Sequence, residues 1–195
     1  QRIYYVENGL IILGVVFSIK PDGTDRQQLT DFSVYRSVSV SKDQSFNVFA
    51  GMTSMTENTQ GIAQYFFQDG TIKEIVACDN TLRAYSPDIS PDGNKIAYVL
   101  RHGPDEMGDP PYYYRIMIIN IDGSGEALVR ELPFKRYVID TYVIWSPDGT
   151  KLAYNFGGES EDKSESHIYV VNFDGTDPIR VTDIPDYDGA PSWIE

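Results

Sequence analysis

The sequence predicts an all-β chain, a β-propeller of four-stranded antiparallel blades. Three observations predict it. One phrase repeats: Ser90-Pro91-Asp92-Gly93 with Lys95-Ile96-Ala97-Tyr98 returns as Ser146-Pro147-Asp148-Gly149 with Lys151-Leu152-Ala153-Tyr154. An altered copy reads Ser41-Lys42-Asp43-Gln44 with Phe46-Asn47-Val48-Phe49. A second landmark, Asp-Gly after an apolar run, stands at Asp22, Asp69, Asp122 and Asp174. Its spacing is about 50 residues, the period of a stacked supersecondary unit. No stretch carries helical periodicity with caps.

Each unit reads as four short strands, a to d. Strand a ends at the Ser-Pro-Asp-Gly turn, where Asp-Gly tolerates the positive φ of a tight connection. Strand b follows and alternates, as in Lys151-Leu152-Ala153-Tyr154-Asn155-Phe156, the period of a pleated strand. Strand c is the apolar run before the second landmark, at residues 15–19, 62–67, 116–121 and 168–173. Strand d follows that turn, at 26–30, 72–76, 127–132 and 179–182. Four strands per period of roughly 40–50 residues is the blade signature.

Trp145-Ser146-Pro147-Asp148-Gly149-Thr150-Lys151-Leu152-Ala153-Tyr154, then Ile168-Tyr169-Val170-Val171-Asn172-Phe173-Asp174-Gly175-Thr176 and Arg180-Val181-Thr182, resemble the WD40-like PD repeat of TolB-type propellers. The resemblance covers nearly the whole chain and is strongest in the last two units. It implies a propeller that is usually bacterial, often exported to the periplasm or cell surface. It implies no single activity, because function is grafted onto folds.

Arg2-Ile3-Tyr4-Tyr5-Val6 matches a strand b, and Ala190-Pro191-Ser192-Trp193-Ile194 matches the run that ends at Trp145. The expectation is therefore four blades, with the C-terminal strand pairing onto the N-terminal blade and covering its open edge. The alternatives are part of a larger six- to eight-bladed ring, or two chains sharing one ring of eight. Residues 1–195 read as one domain, long enough to bury a core.

The net charge of −13 argues against nucleic acid, which needs a basic footprint, and against anionic membranes. It suits cations or basic partners. No apolar run is long enough to span a membrane, and no signal peptide is visible. Cys78, the one cysteine, reads as a small buried hydrophobe.

Antiparallel strands put the short a–b and c–d turns on one edge of each blade, and the b–c and d–a connections on the other. The long b–c loops, at 51–61, 101–114 and 157–166, are where function is expected on a rigid scaffold. The 101–114 loop is the leading candidate. Arg101, His102, Asp109, Tyr112, Tyr113 and Tyr114 offer flat amphipathic and charged anchors for a protein or glycan surface. The alternative is that the tyrosines open strand c and pack between blades. The acidic 159–165 run reads as a solvated tip.

His102 and His167 flank two different b–c loops, so a two-histidine site is conceivable. Some propeller lyases of related sequence use histidine-rich metal sites, which need more histidines than the two here. Asp79, Asp140, Asp183, Asp186 and Asp188 fall at d–a connections and would either hold a divalent cation or cap turns. Asp122, Ser124 and Glu131 give a partial EF-hand spacing, but a hairpin turn explains the same residues and the motif lacks its helices. Ser160-Glu161-Asp162-Lys163 matches Ser-x-x-Lys without its companion motifs. No nucleophile elbow, phosphate loop or Cys-x-x-Cys is present. The expected role is a non-catalytic module binding a protein partner in the bacterial envelope, without a cofactor. The alternative is a carbohydrate-binding or carbohydrate-cleaving propeller with a cation at its mouth.

Overall fold

Every regular element follows from the turn-and-strand pattern. The computed structural model describes residues 2–8, 13–30, 34–54, 59–79, 81–103, 113–132, 141–157, 166–183 and 188–194. All elements among them are strands. Repeat 1 holds β1 (Ile3–Asn8), β2 (Leu13–Ile19) and β3 (Gln27–Gln28). Repeat 2 holds β4 (Val34–Val40), β5 (Phe46–Ser54), β6 (Thr59–Phe66) and β7 (Ile72–Val76). Repeat 3 holds β8 (Leu82–Ile89), β9 (Lys95–His102), β10 (Tyr113–Asn120) and β11 (Ala127–Leu132). Repeat 4 holds β12 (Val143–Trp145), β13 (Lys151–Phe156), β14 (His167–Asn172) and β15 (Ile179–Arg180). The all-β blade architecture expected from the sequence is the architecture found.

The aspartates of the turns set the strand register. At Ser146 the hydroxyl donates to Asp148 at 2.6 Å, the Thr150 N–H donates to the same carboxylate at 3.0 Å, and the Lys151 N–H donates back to the Ser146 hydroxyl at 2.9 Å. Ser90, Asp92, Asn94 and Lys95 repeat this arrangement. Ser41, Asp43, Ser45 and Phe46 do so as well, although Gln44 stands where the others have glycine and takes φ +57°. The c–d turns use the same device: Asp22, Asp69, Asp122 and Asp174 each accept the N–H two residues on. These local bonds fix a turn before any long-range contact forms. Hydrogen bonds from neighbouring hydroxyl and N–H groups hold the carboxyls of Asp22, Asp43, Asp69, Asp92 and Asp174 below their usual range, and bring Asp148 down to about 2.

The chain divides into two compact units, residues 1–87 and 88–195. In the first, Val16 of repeat 1 and Val34, Phe49 and Ala63 of repeat 2 form one buried cluster, flanked by Val6, Leu29, Val38 and Tyr65. Tyr4 stacks on Phe67 with centroids 5.1 Å apart. The Tyr4–Val6 face of repeat 1 therefore lies on the Phe49–Ala63 face of repeat 2. Asn47 is wholly buried where the sister strands carry Ile96 and Leu152, and its amide has no hydrogen-bond partner among the described residues.

In the second unit, Leu152, Tyr154 and Val171 are buried, and the Tyr154 and Tyr169 rings stack at 5.4 Å. Repeat 4 closes on repeat 3 at three points. Asp88 accepts the Trp145 N–H at 2.8 Å. The Gly149 turn abuts Pro91, and a Cβ at Gly175 would stand 2.5 Å from the Val129 carbonyl oxygen. That glycine is required twice over, since its φ is +87°.

The expected closure by the C-terminal strand is not seen. Residues 188–194 lie in no strand, and β1 is a terminal strand of its sheet, next to β2. The Asp188 N–H donates to Ser166 O at 3.0 Å, which ties the start of this tail to its own repeat.

Two outcomes follow for stability. Gly23 and Gly175 both take positive φ, but open space surrounds Gly23. Gly23→Ala is expected to cost about 1–2 kcal/mol, the left-handed penalty alone; Gly175→Ala must cost clearly more, read as the unfolding midpoint in denaturant. The aspartates' contribution is complete above their unfolded value near 3.8 and is lost as pH falls through the depressed folded values. Denaturant midpoints should therefore fall between about pH 4 and pH 2. Asp148→Asn should flatten part of that decline, and a parallel curve would count against the turn bonds.

Candidate functional site

The b–c rim of repeat 3 gathers the leading candidates. His102 ends β9 directly opposite Tyr113, which opens β10. Their rings stack with centroids 5.2 Å apart and planes at 25°. Two residues on, and so on the same face, Arg115 sets its guanidinium 5.0 Å from the Tyr113 centroid. Arg115 is in turn paired with Glu131 of β11 at 2.9 Å. His102, Tyr113, Arg115 and Glu131 thus cross three strands as one continuous stack, ring on ring and then cation on ring. The His102 Nδ1 is buried and has no hydrogen-bond partner among the described residues.

Arg101 and Tyr114 are also opposite each other, but the pleat turns them to the other face, where Tyr114 is buried. Asp109 and Tyr112 lie outside the described residues, as do Asp140 and Asp186. The expected 101–114 group is thus split between two faces. Arg115 was missed; its signal was the strand alternation that puts it beside Tyr113.

The second histidine has a different setting. His167 opens β14 opposite Phe156 and is only 3 % exposed. Arg180 donates to its Nδ1 at 3.3 Å, and the Asp188 carboxylate lies 4.0 Å away. Thr182 donates to Asp188 and accepts the Ile168 N–H at 2.9 Å. His167 and Asp188, placed on one rim by the sequence, are neighbours in the structure. Asp79 accepts the Thr81 and Leu82 N–H groups and caps a turn, while exposed Asp183 faces Arg180 at 3.6 Å.

These groups do not fit a divalent cation. A guanidinium already faces the Nδ1 of His167. Asp122 is engaged by the Ser124 N–H and hydroxyl, and Glu131 lies strand residues away from that turn, paired with Arg115. No group of three or more His, Cys, Asp or Glu side chains that could hold a metal occurs among the described residues.

No family model matches the chain. Solved structures do. A TolB-assigned protein from Agrobacterium tumefaciens matches with TM-score 0.71 at 15 % identity, over 94 % of this chain and 61 % of that one. TolB from Acinetobacter baumannii matches with TM-score 0.67 at 16 % identity, over 92 % and 41 %. The chain folds as a TolB-like β-propeller. An oligogalacturonate lyase in complex with manganese shares the fold with TM-score 0.59 at 16 % identity, over 94 % of this chain and 50 % of that one. The chain spans less than two thirds of each of these structures, and at such identities the likeness is one of fold.

Thr182 supplies both an acceptor and a donor to the rim of repeat 4. Thr182→Val should lose about 1–3 kcal/mol by leaving the Ile168 N–H unsatisfied. Thr182→Ser should restore most of it, with both variants read by equilibrium denaturation.

Proposed function

We propose that this chain is a non-catalytic propeller module that binds a protein partner through the b–c rim of its repeats, in the bacterial envelope. The observation that carries the reading is the His102–Tyr113–Arg115 stack at the rim of repeat 3, where β9 ends and β10 begins. Stacked aromatic rings and a held guanidinium are rigid anchors that lose little entropy when a partner covers them. The opposite edge of the repeats carries short turns whose aspartates bond their own neighbouring N–H groups. A net charge of −13 favours a partner that presents a basic surface. The envelope follows from the TolB-type resemblance of the repeats.

A second reading, a glycan-cleaving propeller, is favoured by the fold shared with the oligogalacturonate lyase. It gains no support from the His167 cluster, whose ring nitrogen faces a cation. The two readings separate experimentally. Tyr113→Ala with Arg115→Ala should abolish capture of a partner from envelope extract, identified against wild type by mass spectrometry, and leave the unfolding midpoint within about 1 kcal/mol. Equal capture by both proteins, or manganese-dependent release of unsaturated sugar, would overturn the binding reading.

A further inference from the structure

Repeats 1 and 2 belong to one compact unit, and the cluster of Val16 with Phe49 and Ala63 shows which of their faces meet. Val16 stands opposite Val6 in repeat 1, and Phe49 opposite Ala63 in repeat 2. The next layer lies nearer the aspartate turns, two residues away along each strand and so on the same face. There repeat 1 carries Tyr4 opposite Ser18, and repeat 2 carries Asn47 opposite Tyr65. Tyr4 stacks on Phe67, and Tyr65 meets the same ring edge-on with centroids 5.8 Å apart, which ties the two halves of the layer together. All four side chains of this layer carry a polar group.

The second unit fills the equivalent positions with apolar residues. They are Ala97 opposite Ile118 in repeat 3 and Leu152 opposite Val171 in repeat 4, all buried. A polar set in such a place is costly unless its groups find partners. Ser18 is 1 % and Asn47 0 % exposed. Arg2 donates to the Ser18 hydroxyl at 3.0 Å, which leaves that hydroxyl its own proton to give. Tyr65 sends its hydroxyl away, towards the turn at Gly70. Neither Oδ1 nor Nδ2 of Asn47 has a hydrogen-bond partner among the described residues. Asn47 and Ser18 thus share a buried layer without reaching one another directly.

We propose that the Asn47 carboxamide and the Ser18 hydroxyl hold internal water between repeats 1 and 2. Oδ1 only accepts a hydrogen bond, Nδ2 only donates, and the hydroxyl does both. Water, which does both, is the ligand chemistry that serves all of them. A cation would face the Nδ2 hydrogens and an anion would face Oδ1. Three polar atoms are also about the number that a buried water engages. The water carries between the repeats the hydrogen bonds that these side chains do not make directly. The rings of Tyr4, Tyr65 and Phe67 wall the layer, and with Asn47 wholly buried the water leaves only when the two repeats part locally. Its residence is therefore far longer than that of surface water.

The test uses the full chain, with water itself as the probe. Magnetic relaxation dispersion of the water oxygen nucleus counts the molecules that stay bound longer than the protein tumbles, and it ignores proton exchange with hydroxyl groups. Asn47→Leu installs the residue that repeat 4 carries at this position. It should lower the dispersion amplitude by that of at least one molecule while the far-ultraviolet spectrum stays that of wild type. A second measurement needs no variant: the Asn47 side-chain N–H protons of the wild type should show a dipolar cross-peak to water, with the sign of a pair that tumbles with the protein. If Asn47→Leu does not fold, that cross-peak alone decides. An unchanged amplitude in folded Asn47→Leu, or no cross-peak to water at the wild-type Asn47, would overturn the proposal. The protein-partner reading stands or falls separately, since the Tyr113 rim is not part of this layer.

Discussion

An aspartate carboxylate that catches a hydroxyl and the N–H two residues on is the constraint on which the rest of this structure depends. It closes the a–b turn at Asp43, Asp92 and Asp148 and the c–d turn at Asp22, Asp69, Asp122 and Asp174. A strand that slips by one residue exchanges its two faces. By pinning both turns of a repeat, the aspartates decide that Leu152 and Val171 share one buried face of repeat 4. They decide also that Tyr113 and Arg115 share a face at the rim. Because these bonds are local, each repeat carries its own register.

The same constraint separates scaffold from function. The turn edge spends its polar groups on itself, and two of its turns are pressed against a neighbouring repeat at Gly149 and Gly175. The rim edge keeps groups that the fold does not consume, among them the Nδ1 of His102. The His167 cluster shows the opposite outcome at the same rim. There a histidine, an arginine, a threonine and an aspartate satisfy one another and hold the start of the tail. The rim of repeat 3 keeps a ring nitrogen without a partner among the described residues, whereas the counterpart in repeat 4 is taken up in structure.

The strands were legible in the sequence because period-two alternation and Asp-Gly punctuation are local signals. Gln44 was harder. Glutamine carries no sign of positive φ, yet it takes +57° because Asp43 and Ser41 bond the turn around it. Repeat 2 also hides an added turn residue. The Gly70 N–H reaches back to Phe66, four residues away, whereas the Gly123 N–H reaches Asn120, three away. Spacing between landmarks could not reveal that. The site was legible only as a rim. Sequence grouped Arg101 with His102 and Tyr113 with Tyr114, whereas the pleat sends neighbours to opposite faces. It could not show Glu131 serving Arg115, because that pairing crosses two strands through a bulge between Ile116 and Met117. Closure by the tail rested on a match in sequence alone, and residues 188–194 lie in no strand.

Amide hydrogen exchange tests the central claim most directly. The N–H groups of Thr24, Ser45, Thr71, Asn94, Ser124, Thr150 and Thr176 lie in exposed turns, where unbonded amides exchange freely. If the aspartates hold the register, these seven must exchange far more slowly than the N–H groups of the neighbouring turn residues, and lose that protection as the carboxyls protonate. Exchange at unprotected rates at neutral pH, with the strands still intact, would contradict the account.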